Sequence, residues 1–138
     1  MIIPNKINLV NQDDNVSCVL ACVAMLTGKK LVQVRTGAIK IGLTPPLNVI
    51  EQAKLLATFK LAWTPTIEEV IYKGNIYILK VSSLNTIAGQ HSIIADCRSG
   101  EIEIFDPQNG VKDKNFYTVD NFKNFSTPVR IIDPYEGK

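Results

Sequence analysis

Residues 17–27 are apolar almost all round, and Gly28 stands where a left-handed residue would end a helix. A helix with no polar face has no side to leave in water, so the rest of the chain must be wrapped around it. The uninterrupted apolar run, 18–26, is about half of the roughly 20 residues needed to cross a bilayer. It therefore reads as a central, buried helix, and no membrane span is expected.

A chain of 138 residues is long enough to bury one sizeable core without disulfides, and no repeat, low-complexity tract or Pro/Ser-rich linker divides it. One domain over residues 1–138 is expected. Hydrophobic residues make up 46% and charged residues 20%, the balance of an ordinary globular protein rather than a disordered one. The formal charge of +2 is spread without a long basic run, Lys29-Lys30 being only a local pair, so no nucleic acid or acidic membrane surface is expected as a partner. The three cysteines, Cys18, Cys22 and Cys97, are an odd set, and the first residues lack the pattern of a secretory signal. They read as free thiols in a reducing cytoplasm.

A second helix is expected after Thr44-Pro45-Pro46, with Leu47, Ile50, Ala53, Lys54 and Ala57 at helical spacing. Residues 67–72 read as helix or turn. From residue 76 the pattern changes: 76–81, 91–97, 101–106 and 129–132 are rich in β-branched and aromatic residues and read as strands, with a short helix capped by Thr118 running to Phe125. Helices first and strands second predict an α+β fold with an antiparallel sheet.

Cys18 opens the apolar helix just after Asn15-Val16-Ser17, where Asn15 or Ser17 could be the N-cap. Unpaired N–H groups at a helix start favour thiolate over thiol, and they point at any oxygen that becomes negative during attack. A cysteine inside an apolar run is, all the same, more often a small buried hydrophobe, and Cys22 fits that role better. His91 is the only histidine and so the only imidazole base on offer. A two-residue turn at Ser99-Gly100 would put His91 opposite Gln108, with Asp106 diagonal to His91 on the same face. That register also places Ile93, Ala95, Cys97, Ile102 and Ile104 on the His91 face, expected to be buried, and turns Asp96, Arg98, Glu101 and Glu103 away. A carboxylate at the end of a buried face needs a partner, and the imidazole supplies one. Gln12, in the extended lead-in, has an amide able to reach back to the helix start as a second oxyanion donor, although alone it is an ordinary surface glutamine.

Cys18, Cys22, Cys97 and His91 could instead be zinc ligands, but their spacing is unlike the tight Cys pairs of structural zinc sites, and no metal or cofactor is expected. A non-catalytic binding module on the same fold is the other alternative, since fold does not establish activity.

Gln12 and Cys18, followed by Cys22-Val23-Ala24-Met25-Leu26 and Gly28, resemble the opening of papain-like cysteine peptidases, above all the bacterial branch that trims double-glycine leader peptides for ABC exporters. His91-Ser92-Ile93-Ile94 and Ile102-Glu103-Ile104-Phe105-Asp106-Pro107 resemble that branch's histidine strand and Asp-Pro strand end. Asp106-Pro107-Gln108-Asn109-Gly110 is also similar to papain-fold toxins of bacteria, many regarded as glutamine deamidases. The resemblance implies a papain-like fold in which the N-terminal helix carries the nucleophile and packs on the antiparallel sheet. It implies Cys18 as nucleophile, His91 as general base and acid, Asp106 as its orienter and Gln12 in the oxyanion hole. The expected substrate is a protein or peptide amide. The toxin likeness sets the first expectation, the catalytic domain of a bacterial toxin or effector (a glutamine deamidase or restricted protease). It would be delivered into a target cell as part of a larger protein, with an immunity protein as partner. A leader-peptide-processing peptidase is the alternative. Val19 stands where the exporter peptidases commonly have glycine, so a side chain is expected where substrate approaches.

Overall fold

The computed structural model describes residues 2–14, 16–65, 71–82, 90–108 and 128–134. Helix α1, Cys18–Thr27, forms as the apolar run requires, and every residue from 19 to 26 is buried. It stops at Gly28, whose φ of 68° turns its N–H back onto the Ala24 carbonyl. Ser17 holds the N-cap position but makes no side-chain cap bond, its hydroxyl lying instead 3.4 Å from Asp13 Oδ1. Asn15, the other candidate cap, lies outside the described residues.

Helix α2, Leu31–Lys40, is an addition to the expected elements. Its sequence is rich in β-branched residues and contains Gly37, all weak helix formers, and only Val34 and Ala38 are buried in it. Packing overrides propensity here: Gly37 lets the Phe59 ring approach so closely that a Cβ would sit 2.8 Å from it. Helix α3, Val49–Thr58, is the expected second helix. Asn48 Oδ1 accepts the Glu51 N–H at 2.8 Å and Glu51 Oε1 accepts the Asn48 N–H at 3.0 Å, a reciprocal cap. Its buried stripe is Gln52, Leu55 and Leu56, not the Ile50 face expected from spacing, and Ile50 is exposed. Adjacent leucines outweigh a lone isoleucine, and Gln52 is tolerated inside because its amide donates to the Leu47 carbonyl at 3.1 Å.

Strands β1 (Ala62–Pro65), β2 (Ile76–Ser82), β3 (Gln90–Asp96), β4 (Glu103–Phe105) and β5 (Val129–Ile132) form an antiparallel sheet in the order β1-β5-β2-β3-β4. The fold is α+β, as expected, with β1 a further unanticipated element. Of residues 67–72, only Ile71 and Tyr72 are described, and neither is in a helix or strand; the Thr118-capped helix lies outside the described residues.

The β3–β4 register is the expected one: Ile94 pairs with Phe105, Ala95 with Ile104 and Asp96 with Glu103. The turn is wider: the ladder ends at Asp96–Glu103, Cys97 bonds Asn75 and Gly74 beside β2 while its carbonyl also accepts the Gly100 N–H at 3.2 Å, and β4 is shorter than 101–106. The expectation of one buried face needs correcting. Ile76, Ile78 and Ile94 pack with α1 in one core, while Tyr77, Leu79, Val81, Ile93, Ala95 and Cys97 form a second on the opposite face. Ile102, expected inside, is 39% exposed because it precedes the short β4. We expect Ile94→Ala to cost about 2–5 kcal/mol of unfolding free energy and Ile102→Ala to stay within about 0.5 kcal/mol, as read from urea midpoints.

Candidate active site

The N-terminus of α1, the start of β3 and the chain leaving β4 meet, and they bring Cys18, His91 and Asp106 together. His91 Nε2 and Asp106 Oδ1 are 2.6 Å apart, with the side chains only 3% and 2% exposed. The same Oδ1 accepts the Gln108 N–H at 2.9 Å, so two donors fix the carboxylate. His91 Nε2 is committed to Asp106, and the Cys18 thiol lies close enough to the imidazole for each to shift the other's titration.

Opposing forces set the charge state. Burial, the largest influence on Cys18, raises its pKa, yet hydrogen bonds from His91 and the Ser92 N–H, the imidazolium charge and the Ser92 hydroxyl together carry it below the ordinary thiol value of 9.0. Burial likewise works against the charged form of His91, but hydrogen bonds to Asp106 and Cys18 and the attraction of both charges lift it to about 9. The lowered thiol and the raised imidazole together favour a thiolate beside an imidazolium. The other thiols go the opposite way. Burial, with the nearby charges of Cys18 and Asp106, pushes Cys22 well up, and burial with Asp96 pushes Cys97 to about 11.

Gln12 is buried on the Asp106 side of the site. Its N–H donates to the Pro107 carbonyl at 2.8 Å and its side-chain Nε2 to the Asp14 carbonyl at 2.5 Å. Its Oε1 has no hydrogen-bond partner among the described residues. The side chain expected where substrate approaches is not at the surface: Val19 is buried in the α1 core. Asp96 has its own partner, Arg98, whose Nε and Nη2 each donate to it at 2.9 Å. Cys22 and Cys97 belong to cores on opposite faces of the sheet, so the four residues weighed as zinc ligands are not gathered at one point. Among the described residues no group of three or more His, Cys, Asp or Glu side chains is arranged to hold a metal ion.

Ser92 is the site residue that sequence reasoning missed. It shares the helix-facing parity of Ile94, its N–H and hydroxyl are among the groups that lower the Cys18 pKa, and its carbonyl lies 3.6 Å from Cys22 Sγ. Its one sequence signal is a hydroxyl at the head of the apolar run Ile93-Ile94-Ala95.

No family model and no curated protein matches the chain. Among solved structures it is similar to the crystal structure of a double glycine motif protease from an AMS/PCAT transporter in complex with the leader peptide. The likeness covers 94% of this chain and 92% of that one, with a TM-score of 0.56 and 18% identity. The fold is papain-like.

Iodoacetamide should mark Cys18 first at pH values below the ordinary thiol range and leave Cys22 and Cys97 unmodified in the native protein, as mapped by peptide mass spectrometry. Asp106→Asn removes a support of the imidazolium, so the Cys18 alkylation profile should move to higher pH. Asp96→Asn should leave it in place.

Proposed function

We propose that this chain is a cysteine hydrolase that cleaves peptide amides with Cys18, His91, Asp106 and Gln12. The observation that carries this reading is His91 held at 2.6 Å by a buried carboxylate beside a thiol whose pKa is lowered. The Cys18 thiolate adds to the amide carbonyl carbon, forming a C–S bond and moving the π pair onto oxygen. The resulting oxyanion is met by the first-turn N–H groups of α1, which Ser17 leaves without a side-chain cap, and by the Gln12 amide. As the oxyanion collapses, the C–N bond breaks and the imidazolium gives its proton to the departing nitrogen, leaving a thioester. Water then attacks the thioester, with neutral His91 taking its proton, and Cys18 leaves again as thiolate.

A peptide substrate is favoured by the fold shared with a protease that was crystallised with a leader peptide bound. Hydrolysis of a glutamine side chain would use the same four residues, and the likeness of Asp106-Pro107-Gln108 to papain-fold toxins is what speaks for it. In that second reading the chain acts in the reducing cytoplasm of a target cell, and an immunity protein would cover the cleft in the producer.

Incubation with double-glycine leader peptides and with cytoplasmic proteins, read by mass spectrometry, separates the two, because cleavage splits the chain whereas deamidation leaves it whole. We expect leader-type peptides to be cut and Cys18→Ala to be inactive. Growth arrest on cytoplasmic expression that Cys18→Ala relieves, with no peptide cut, would favour the toxin reading. Turnover should need the thiolate and the imidazolium together, so it should fall as pH drops through the Cys18 pKa and fall again as pH rises through about 9. A rate still climbing well above that pH would exclude His91 as the proton donor.

A further inference from the structure

The segment between Gln12 and Cys18 is held from outside by a residue of α2. Arg35 grips Asp13 with both ends of its guanidinium, Nη1 to Oδ2 at 2.9 Å and Nη2 to Oδ1 at 2.6 Å, and its Nη2 lies 3.9 Å from Asp14 Oδ2. Asp13 Oδ1 also faces the hydroxyl of Ser17, the residue before the nucleophile. Asp14 turns the chain on itself: its Oδ1 accepts the Val16 N–H at 2.9 Å, and its carbonyl holds the Gln12 amide. The Arg35 fork thus anchors the backbone on which both the Gln12 side chain and the start of α1 depend.

Two features make that anchor matter for the oxyanion. One amide hydrogen of Gln12 is spent on the Asp14 carbonyl, so the other is the one left to donate. Gln12 Oε1 is buried without a partner among the described residues, so among them Asp14 is what orients this amide. The Arg35 and Asp13 side chains are 32% and 55% exposed, and an ion pair so open to water contributes little to global stability. A pair that contributes little to the fold yet sits on the one loop joining nucleophile to oxyanion donor has its effect there.

We propose that Arg35 is a positioning residue which, through Asp13 and Asp14, aims the Gln12 amide at the oxyanion. This inference rests on the hydrolase reading, and two reagents with wild-type chain, Arg35→Ala, Asp13→Asn and Gln12→Ala distinguish its failure from that of the reading. Iodoacetamide reacts with the thiolate by displacing iodide at carbon, without an oxyanion. A p-nitrophenyl ester acylates the thiolate through a tetrahedral oxyanion: the C–S bond forms, the ester C–O bond breaks and p-nitrophenolate leaves. In Arg35→Ala the acylation rate should fall about 10- to 100-fold, the cost of a misplaced group, while the alkylation rate and its pH profile stay as in wild type. Asp13→Asn should behave alike and serves if Arg35→Ala does not fold. Adding Gln12→Ala to Arg35→Ala should cost little more, since the donor is already misaimed. Unchanged acylation, a parallel fall of both rates, or losses that multiply in the double variant would each overturn the inference. A wild type in which Cys18 takes neither reagent would overturn the hydrolase reading and this inference with it.

Discussion

Helix α1 has no polar side, and that constraint organises the molecule around it. Its buried residues must be covered all round, so α2 and α3 pack on it from one direction and β3 from the other, and the lead-in contributes Ile3 and Ile7 to the same core. The two ends of α1 are where its backbone polarity escapes burial. Gly28 closes the C-terminal end onto Ala24. The N-terminal end is left without a side-chain cap and comes out at the start of β3, where His91 and Ser92 meet Cys18. An apolar helix thus delivers its N-terminal pole, with its partial positive charge, to the place where negative charge would form.

Reactivity at Cys18 comes from a contest that the environment settles locally. Burial alone would hold all three thiols protonated, and for Cys22 and Cys97 it does. Cys18 has the same opposing force, but neighbouring His91 and the polar groups of Ser92 outweigh it and lower its pKa. The imidazolium is itself held by a carboxylate that is locked by the Gln108 N–H. Each charge in the row is stabilised by the next, so a buried pair that would be costly singly persists as a unit.

What was legible in the sequence was what local chemistry alone determines. The apolar run with its terminal glycine fixed α1, and the alternation around Ser99-Gly100 carried the β3–β4 register even though the real turn is wider, because register is set by which side chains must be buried. The juxtaposition of His91 and Asp106 followed from that register, whereas their grouping with Cys18 was implied by the resemblance to papain-like peptidases. Helix α2 was hidden because Val32, Val34, Thr36 and Gly37 have weak helix preference and only the approach of Phe59 reveals why glycine is needed. The α3 stripe was misjudged because Ile50 and the Leu55-Leu56 pair imply different faces and only the neighbours choose. A second buried face of the sheet is equally a tertiary fact, since alternation cannot show that both sides are covered.

The parts of the site are carried by elements far apart in the chain, so their relative placement cannot come from any one of them. Cys18 rides on α1, His91 on β3, and Asp106 on the segment after β4. β3 joins the first two through Ser92, which touches Cys18 and Cys22 on successive turns of α1. The bond from the Gln12 N–H to the Pro107 carbonyl joins the third, because it fastens the chain leading into α1 to the residue next to Asp106. The Gln12–Pro107 bond is backbone to backbone and the Cys22 contact is to the Ser92 carbonyl, so both end on main-chain atoms. A site fastened in this way takes its distances from main-chain positions, so they depend on the fold more than on the side chains around them.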